Sequence, residues 1–174
     1  MTGLGMGHAI RVVIRFRDRF WDSGTAGTSF QHPHLSFLVS DHPVMPTWWS
    51  NYPLLVPFLS GWVAGPSATT LSAGSDGEIQ AAAVKALADI LRWSQTELAT
   101  HVLETHFHNW SGDWYARGAY SYVKAGGLDQ LLSWSQPIVN TLYFAGEATD
   151  TEGRTGTVHG ALATGIRAAE QILG

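Results

Sequence analysis

The sequence predicts an α+β fold, with a mixed or antiparallel sheet flanked by helices, and three observations carry that expectation. Apolar runs of strand length recur, among them Arg11–Phe16 (RVVIRF) and Leu35–Ser40 (LSFLVS). The middle of the chain carries helical spacing opened by two capping boxes. The strands and helices alternate without the regular rhythm of a doubly wound parallel sheet.

Taken in order, Arg11–Phe16 is the first expected strand, with Phe20 and Trp21 just beyond it and a Gly/Ser/Thr loop from Asp22 to Ser29. Leu35–Ser40 is the second, turned by Asp41, His42 and Pro43. Leu54–Ala64 reads as a third, and Pro57 inside it points to an edge strand or a bulge. Ser75 to Glu78 fits a capping box, behind which Ile79, Ala83, Leu87, Ile90 and Leu91 form one apolar stripe at helical spacing. Ser94 to Glu97 is a second box opening a shorter helix, and His101–Trp110 reads as a strand. Leu128–Trp134 is a short helix closed by Pro137. Leu142–Phe144 is a short strand ending at Gly146 and Glu147, and a polar loop over Ala148–Thr155 leads to a last helix from Thr157 to Leu173.

The chain has 174 residues, the length of one ordinary domain, with 45% hydrophobic and only 14% charged residues. Eight Trp, five Tyr and seven Phe point to stacking surfaces, a large buried cavity or an interface. A formal charge of −4 gives no basic footprint for nucleic acid. No apolar run approaches the ~20 residues that span a bilayer. Arg11, Arg15, Arg17 and Arg19 interrupt the N-terminal apolar pattern, so it is no signal peptide, and a cytoplasmic location is expected. The absence of cysteine excludes disulfides, thiolate zinc sites and cysteine catalysis.

The most informative stretch is Leu142–Leu173. A strand ending at Glu147 leaves a carboxylate at the rim of a sheet, where ligands of α/β proteins gather. The helix opening at Gly156, Thr157 and Val158 has free N–H groups in its first turn, which favour a polar or anionic ligand atom. Gly160, Ala161, Ala163, Gly165, Ala168 and Ala169 let a backbone or a flat ring lie close against it. From spacing alone, a small-residue helix packed on a sheet with a solvated Glu147 is an equal reading.

This segment resembles the C-terminal flavin-binding signature of the flavin-containing amine oxidases, a family of monoamine oxidases, polyamine oxidases and lysine-specific histone demethylases. The resemblance lies in Phe144-Ala145-Gly146-Glu147, in Gly156-Thr157-Val158-His159-Gly160-Ala161 and in Gly165-Ile166-Arg167-Ala168-Ala169. It implies that Glu147 contacts FAD and that Gly156, Thr157 and Val158 bring backbone amides to the pyrimidine edge of the flavin. Negative charge builds there when the ring accepts a hydride, and a helix N-terminus stabilises it.

Asn109–Tyr122 (NWSGDWYARGAYSY) resembles a second signature of the same family. By that resemblance Trp110 and Tyr115 lie near the flavin, and Tyr120 is an aromatic wall of the amine pocket, suited to cation–π contact. As ordinary residues, Trp110, Trp114 and Tyr115 would be core aromatics, and Trp114 fits that reading better. Ala119 stands where monoamine oxidases carry the cysteine that bonds FAD, so the cofactor implied is non-covalent. Thr157 stands where they carry a second cage tyrosine, which fits the polyamine-oxidase and demethylase-like branch. Met6–Phe16 with Phe20 and Trp21 resembles a strand of the family's substrate domain.

The resemblance divides the chain into 1–140, a partial substrate-binding domain, and 141–174, the FAD-contacting strand, loop and helix. The GxGxxG turn that seats the pyrophosphate is absent: Gly3-Leu4-Gly5-Met6-Gly7 has no strand before it and leads into a strand. Four expectations follow. The chain is a C-terminal portion of an FAD-dependent amine oxidase. It binds FAD weakly or not at all alone. It pairs with an FAD-domain partner or forms a homo-oligomer. The intact enzyme moves a hydride from the α-carbon of a small-molecule amine to flavin N5, after which water hydrolyses the imine and oxygen reoxidises the flavin. No catalytic acid or base is assigned. A non-catalytic oligomerising module is the alternative.

Eight histidines raise a metal reading, notably His32, His34 and His42, and His101, His106 and His108. No HExxH or acidic ligand pattern accompanies them, so no metal is expected. No GxSxG elbow surrounds Ser60 or Ser111, which argues against a serine hydrolase.

Overall fold

The computed structural model describes residues 3–23 and 31–174, so the expected loop lies outside the described residues from position 24 on. The chain forms two compact units, His8–Ala116 and a second one that joins the N-terminal residues through Gly7 to Arg117–Gly174. The boundary expected at 140/141 does not coincide with this division. The first strand, β1 (Leu4–Gly7), belongs to the second unit.

In the larger unit β2 (Ala9–Phe16), β3 (Phe37–Val39), β4 (Thr47–Ser50), β5 (Phe58–Ala64) and β6 (Val102–Phe107) make one antiparallel sheet in the order β3-β4-β5-β2-β6. Along β2 the side chains alternate. Ile10, Val12, Ile14 and Phe16 are fully buried, while Arg11 and Arg15 are exposed on the other face. That alternation explains how arginines interrupt the apolar run without harming the core. The buried face shares one core with Ile79, Ala83, Leu87 and Leu91 of α3 (Asp76–Leu91) and with Leu98 of α4 (Gln95–His101). Both capping boxes form: Ser75 accepts from the Glu78 amide and Ser94 from the Glu97 amide, and each glutamate returns to its cap residue. Those hydrogen bonds hold the Glu78 and Glu97 carboxyls below their usual pKa.

Several expected boundaries move. The third strand begins at Phe58, after Pro57, and is interior rather than an edge. Because Pro57 stands outside the ladder it costs no sheet amide, and its carbonyl accepts from Phe16 N–H. Phe20 and Trp21 lie on a single helical turn, α1 (Phe20–Ser23). His101 ends α4 instead of opening a strand, and His108 lies past the end of β6. Strand β4 and helix α2 (Pro66–Ser72) had no forecast. Strand β4 is only four residues long, with Trp48 buried and Trp49 half-buried.

In the smaller unit β1 pairs antiparallel with β7 (Tyr120–Val123), placing Gly5 opposite Tyr122 and Gly7 opposite Tyr120. A Cβ on Gly5 would come within 2.5 Å of the Tyr122 ring, so the alternating glycines leave room for the tyrosines. The Gly-rich N-terminus is thus a strand partner, not a phosphate turn. After α5 (Leu128–Trp134), Leu142–Phe144 is not the expected strand. Among the described residues only Ile138 and Leu142 bridge there, while the Phe144 carbonyl and the Gly146 amide find side chains of the last helix. Arg167 donates to the carbonyls of Phe144 (2.7 Å) and Thr149 (2.8 Å), and Gly146 N–H donates to Thr164 Oγ1 at 2.9 Å. A single 3-10 turn over Glu147–Thr149 follows.

The last helix, α6 (Val158–Leu173), buries Gly160, Thr164 and Ala168, four residues apart, along one side. Its other side leaves Leu162 (65% exposed) and Ile166 (63%) in the open. Leu131 and Ala168 are the buried hydrophobic residues of this unit among those described.

Candidate functional site

The site is best built outward from the first turn of α6. Thr157 is the N-cap: its backbone is extended (φ −124°, ψ 152°) and its Oγ1 accepts from Gly160 N–H at 3.1 Å. The same hydroxyl donates to Arg154 O at 2.6 Å. That cap satisfies one of the four orphan amides of the helix start. Val158 and His159 N–H have no acceptor among the described residues. The Val158 side chain, 78% exposed, does not fold over them. The mouth of the helix is therefore open, with partial positive charge facing outward.

Gly156 leads into this turn with φ +76°, which glycine adopts without strain. A side chain there would also meet the Tyr120 ring, since a Cβ would lie 3.5 Å from it. Tyr120 on β7 is 37% exposed, so one part of its ring is packed and the rest is open. Glu147 draws these pieces together. Its Oε1 accepts from Ser121 N–H at 2.8 Å, and its Oε2 accepts from Ser121 Oγ (2.8 Å) and Gly156 N–H (2.6 Å). The expected carboxylate is thus beside the helix mouth, half-buried, with both oxygens already engaged by the chain. The equal reading of a solvated Glu147 is overturned.

The loop between Glu147 and α6 is set by Asp150, which is 1% exposed. It accepts from the amides of Glu152 (3.0 Å) and Arg154 (2.8 Å) and forms an ion pair with the Arg154 side chain. Burial pushes the Asp150 carboxyl up, but the hydrogen bonds from Arg154 and Glu152 outweigh it and hold the pKa below the usual 3.8. Sequence reading overlooked Asp150 and Ser121. An acid and an arginine four apart within a Gly-bounded loop, Asp150 and Arg154, was the available signal.

Tyr120, Glu147, Gly156, Thr157 and Val158 therefore meet in the smaller unit. Trp110 and Tyr115 belong to the larger one and are not core aromatics: Trp110 is half exposed with its ring 4.3 Å from His108, and Tyr115 is 94% exposed. Trp114 is exposed too, against the core reading. Asp113 organises their turn by accepting from the amides of Tyr115 and Ala116, both at 2.9 Å, and these bonds with the His108 contact lower its pKa.

The histidines have other partners. His42 faces Asp89, His101 faces Asp18, and His106 faces Glu104. Ser60 is buried inside β5. Ser111 Oγ lies 2.7 Å from His8 Nδ1, in a turn and not at a strand-to-helix elbow.

The family described as "Flavin containing amine oxidoreductase" matches residues 1–173. Histone demethylase-like protein A of Aspergillus fumigatus is 31% identical over 98% of the chain, which covers 16% of that protein. Lysine-specific histone demethylase 2 of Homo sapiens is 27% identical over 99% of the chain, which covers 21% of it. The chain thus spans about a fifth or less of the length of these curated relatives. Among solved structures, a putrescine oxidase redesigned in its cofactor binding superposes with a TM-score of 0.69 over 98% of this chain and 36% of its own, at 23% identity.

Proposed function

Since the chain belongs to the flavin containing amine oxidoreductase family, we propose that it supplies the C-terminal, cofactor-contacting portion of an enzyme that oxidises a small-molecule amine. The observation that carries this reading is the open mouth of α6, with two unclaimed amides, flanked by the Tyr120 ring and the Glu147 carboxylate. FAD, when bound, supplies the acceptor of the two electrons removed from the amine.

The residues fit such a group. The amides of Val158 and His159 offer hydrogen bonds to a carbonyl edge and favour negative charge on it. Thr157 fixes their direction by capping the turn. The small residues Gly156 and Gly160 leave the approach clear. Tyr120 offers a ring face to a cationic amine. Trp110 and Tyr115 enter the proposal through the second sequence signature. Ala119 leaves no thiol for a covalent link, so the cofactor is held non-covalently. In functional terms, 1–140 contributes part of the substrate domain and 141–174 the cofactor contacts.

The uncovered side of α6 supports a second element of the reading. Leu162 and Ile166 with Leu173 form an apolar face on a unit with very little core. We place on that face either a dinucleotide-binding portion of the enzyme or a second copy of this chain.

The chemistry is tested by assembling the chain with FAD and the dinucleotide-binding half of a relative, then adding polyamines anaerobically. Bleaching of the flavin band by amines, and not by alcohols or hydroxy acids, is expected. Bound flavin that no amine bleaches would reduce the chain to a binding module.

A further inference from the structure

The Glu147 side chain joins two elements of the site, and its contacts run in an unexpected direction. An acid offered to a ligand would present its oxygens outward. Here both oxygens turn inward, to two amides and a hydroxyl of the chain. Those donors sit on different elements: Ser121 on β7, next to Tyr120, and Gly156 two residues before the first turn of α6.

We propose that Glu147 is a positioning residue, whose carboxylate clamps β7 to the loop entering α6 and thereby fixes the Tyr120 ring against the amide-bearing helix mouth. The geometry makes the clamp directional. The Ser121 amide and hydroxyl take one oxygen each, which sets the plane of the carboxylate. The Gly156 N–H then meets Oε2 at 2.6 Å, a charge-assisted bond that fixes the glycine carrying φ +76°. Because Gly156 also underlies the Tyr120 ring, a shift of the loop moves the ring and the amides relative to one another. Substrate wall and cofactor edge are therefore kept in one register by a group that need touch neither. Position errors of about 1 Å between reacting partners cost roughly a hundredfold in rate, which is the scale of what such a clamp protects. This deepens the proposed function, on which the catalytic meaning of the clamp rests.

Amide hydrogen exchange on the full chain, read by NMR or mass spectrometry, tests the clamp without any flavin. Glu147→Ala should release the Ser121 and Gly156 amides, speeding their exchange about tenfold, while Val12 and Ile14 in the other unit keep theirs. Ser121→Ala should loosen Gly156 partway, and Ser121→Thr, which restores a hydroxyl and suits a strand, should rescue it. In the flavin-loaded assembly the same variants should shift the visible flavin band, with the threonine variant returning it. Gly156 exchanging freely in the unaltered chain, or unchanged exchange in Glu147→Ala, would overturn the clamp. Exchange effects without any flavin binding would keep the clamp and defeat the functional reading, so the two fail separately.

Discussion

Gly61 illustrates what a single side chain, or its lack, does in this core. It lies opposite Val12 in the ladder, and the Trp48 ring lies over it; a Cβ would stand 2.7 Å from that ring and also collide with the Met45 sulfur. Trp48 and Met45 are fully buried, so neither can swing aside. Gly61→Val should therefore lower the stability of the chain by about 2 kcal/mol, the usual cost of overpacking a dense core. A urea titration followed by tryptophan emission measures it, and an unchanged midpoint would mean that the Trp48–Gly61 packing is wrong. Residue identity made some of the site legible in advance. Glu147, Thr157 and Tyr120 stood out because strand end, helix start and aromatic segment each had a local signature, and they lie close together in the smaller unit. What Glu147 does with its oxygens was not legible, since Ser121 and Gly156 reach it only through the pairing of β7 and the path of the loop. The glycines of β1 were read as no phosphate turn because they lead into a strand, but their pairing with the tyrosines of β7 was not legible.

At the scale of elements, the helices were the most legible. Periodicity and capping boxes locate α3 and α4 because both signals are local. Strands were less so, since a strand is defined by its neighbours. Strand β4 escaped notice, and Leu142–Phe144 looked like a strand, yet Leu142 bridges only Ile138 and the Phe144 carbonyl accepts from Arg167. The outward side of α6 leads to a prediction at this scale. Burial of a leucine or isoleucine contributes roughly 2 kcal/mol. The double variant Leu162→Glu, Ile166→Glu keeps a helix-favouring sequence but should weaken docking of that face by about a thousandfold. Light scattering should show an oligomer, or a complex with the dinucleotide-binding half, that the variant fails to form. A clean monomer with no affinity for such a half, before any substitution, would remove the docking role from α6.

For the molecule as a whole, the two units differ in kind. Among the described residues of 8–116 a sheet closes over four helices and a continuous core. The other unit holds the candidate site but is tied together mainly by hydrogen bonds that Arg167 donates and that Thr164, Glu147 and Asp150 accept. Hydrogen bonds of this kind contribute about 1 kcal/mol each net, so they give it shape rather than independent stability. The small apolar core of this unit and the open face of α6 are what the proposed docking partner would cover.

One measurement bears most directly on this reading: the visible spectrum of the purified chain titrated with FAD, alone and with the dinucleotide-binding half of a relative. The expected result is little or no bound flavin alone and about one flavin per chain in the assembly, all of it released intact by acid precipitation. Stoichiometric yellow flavin on the chain alone, or none in the assembly, would contradict it.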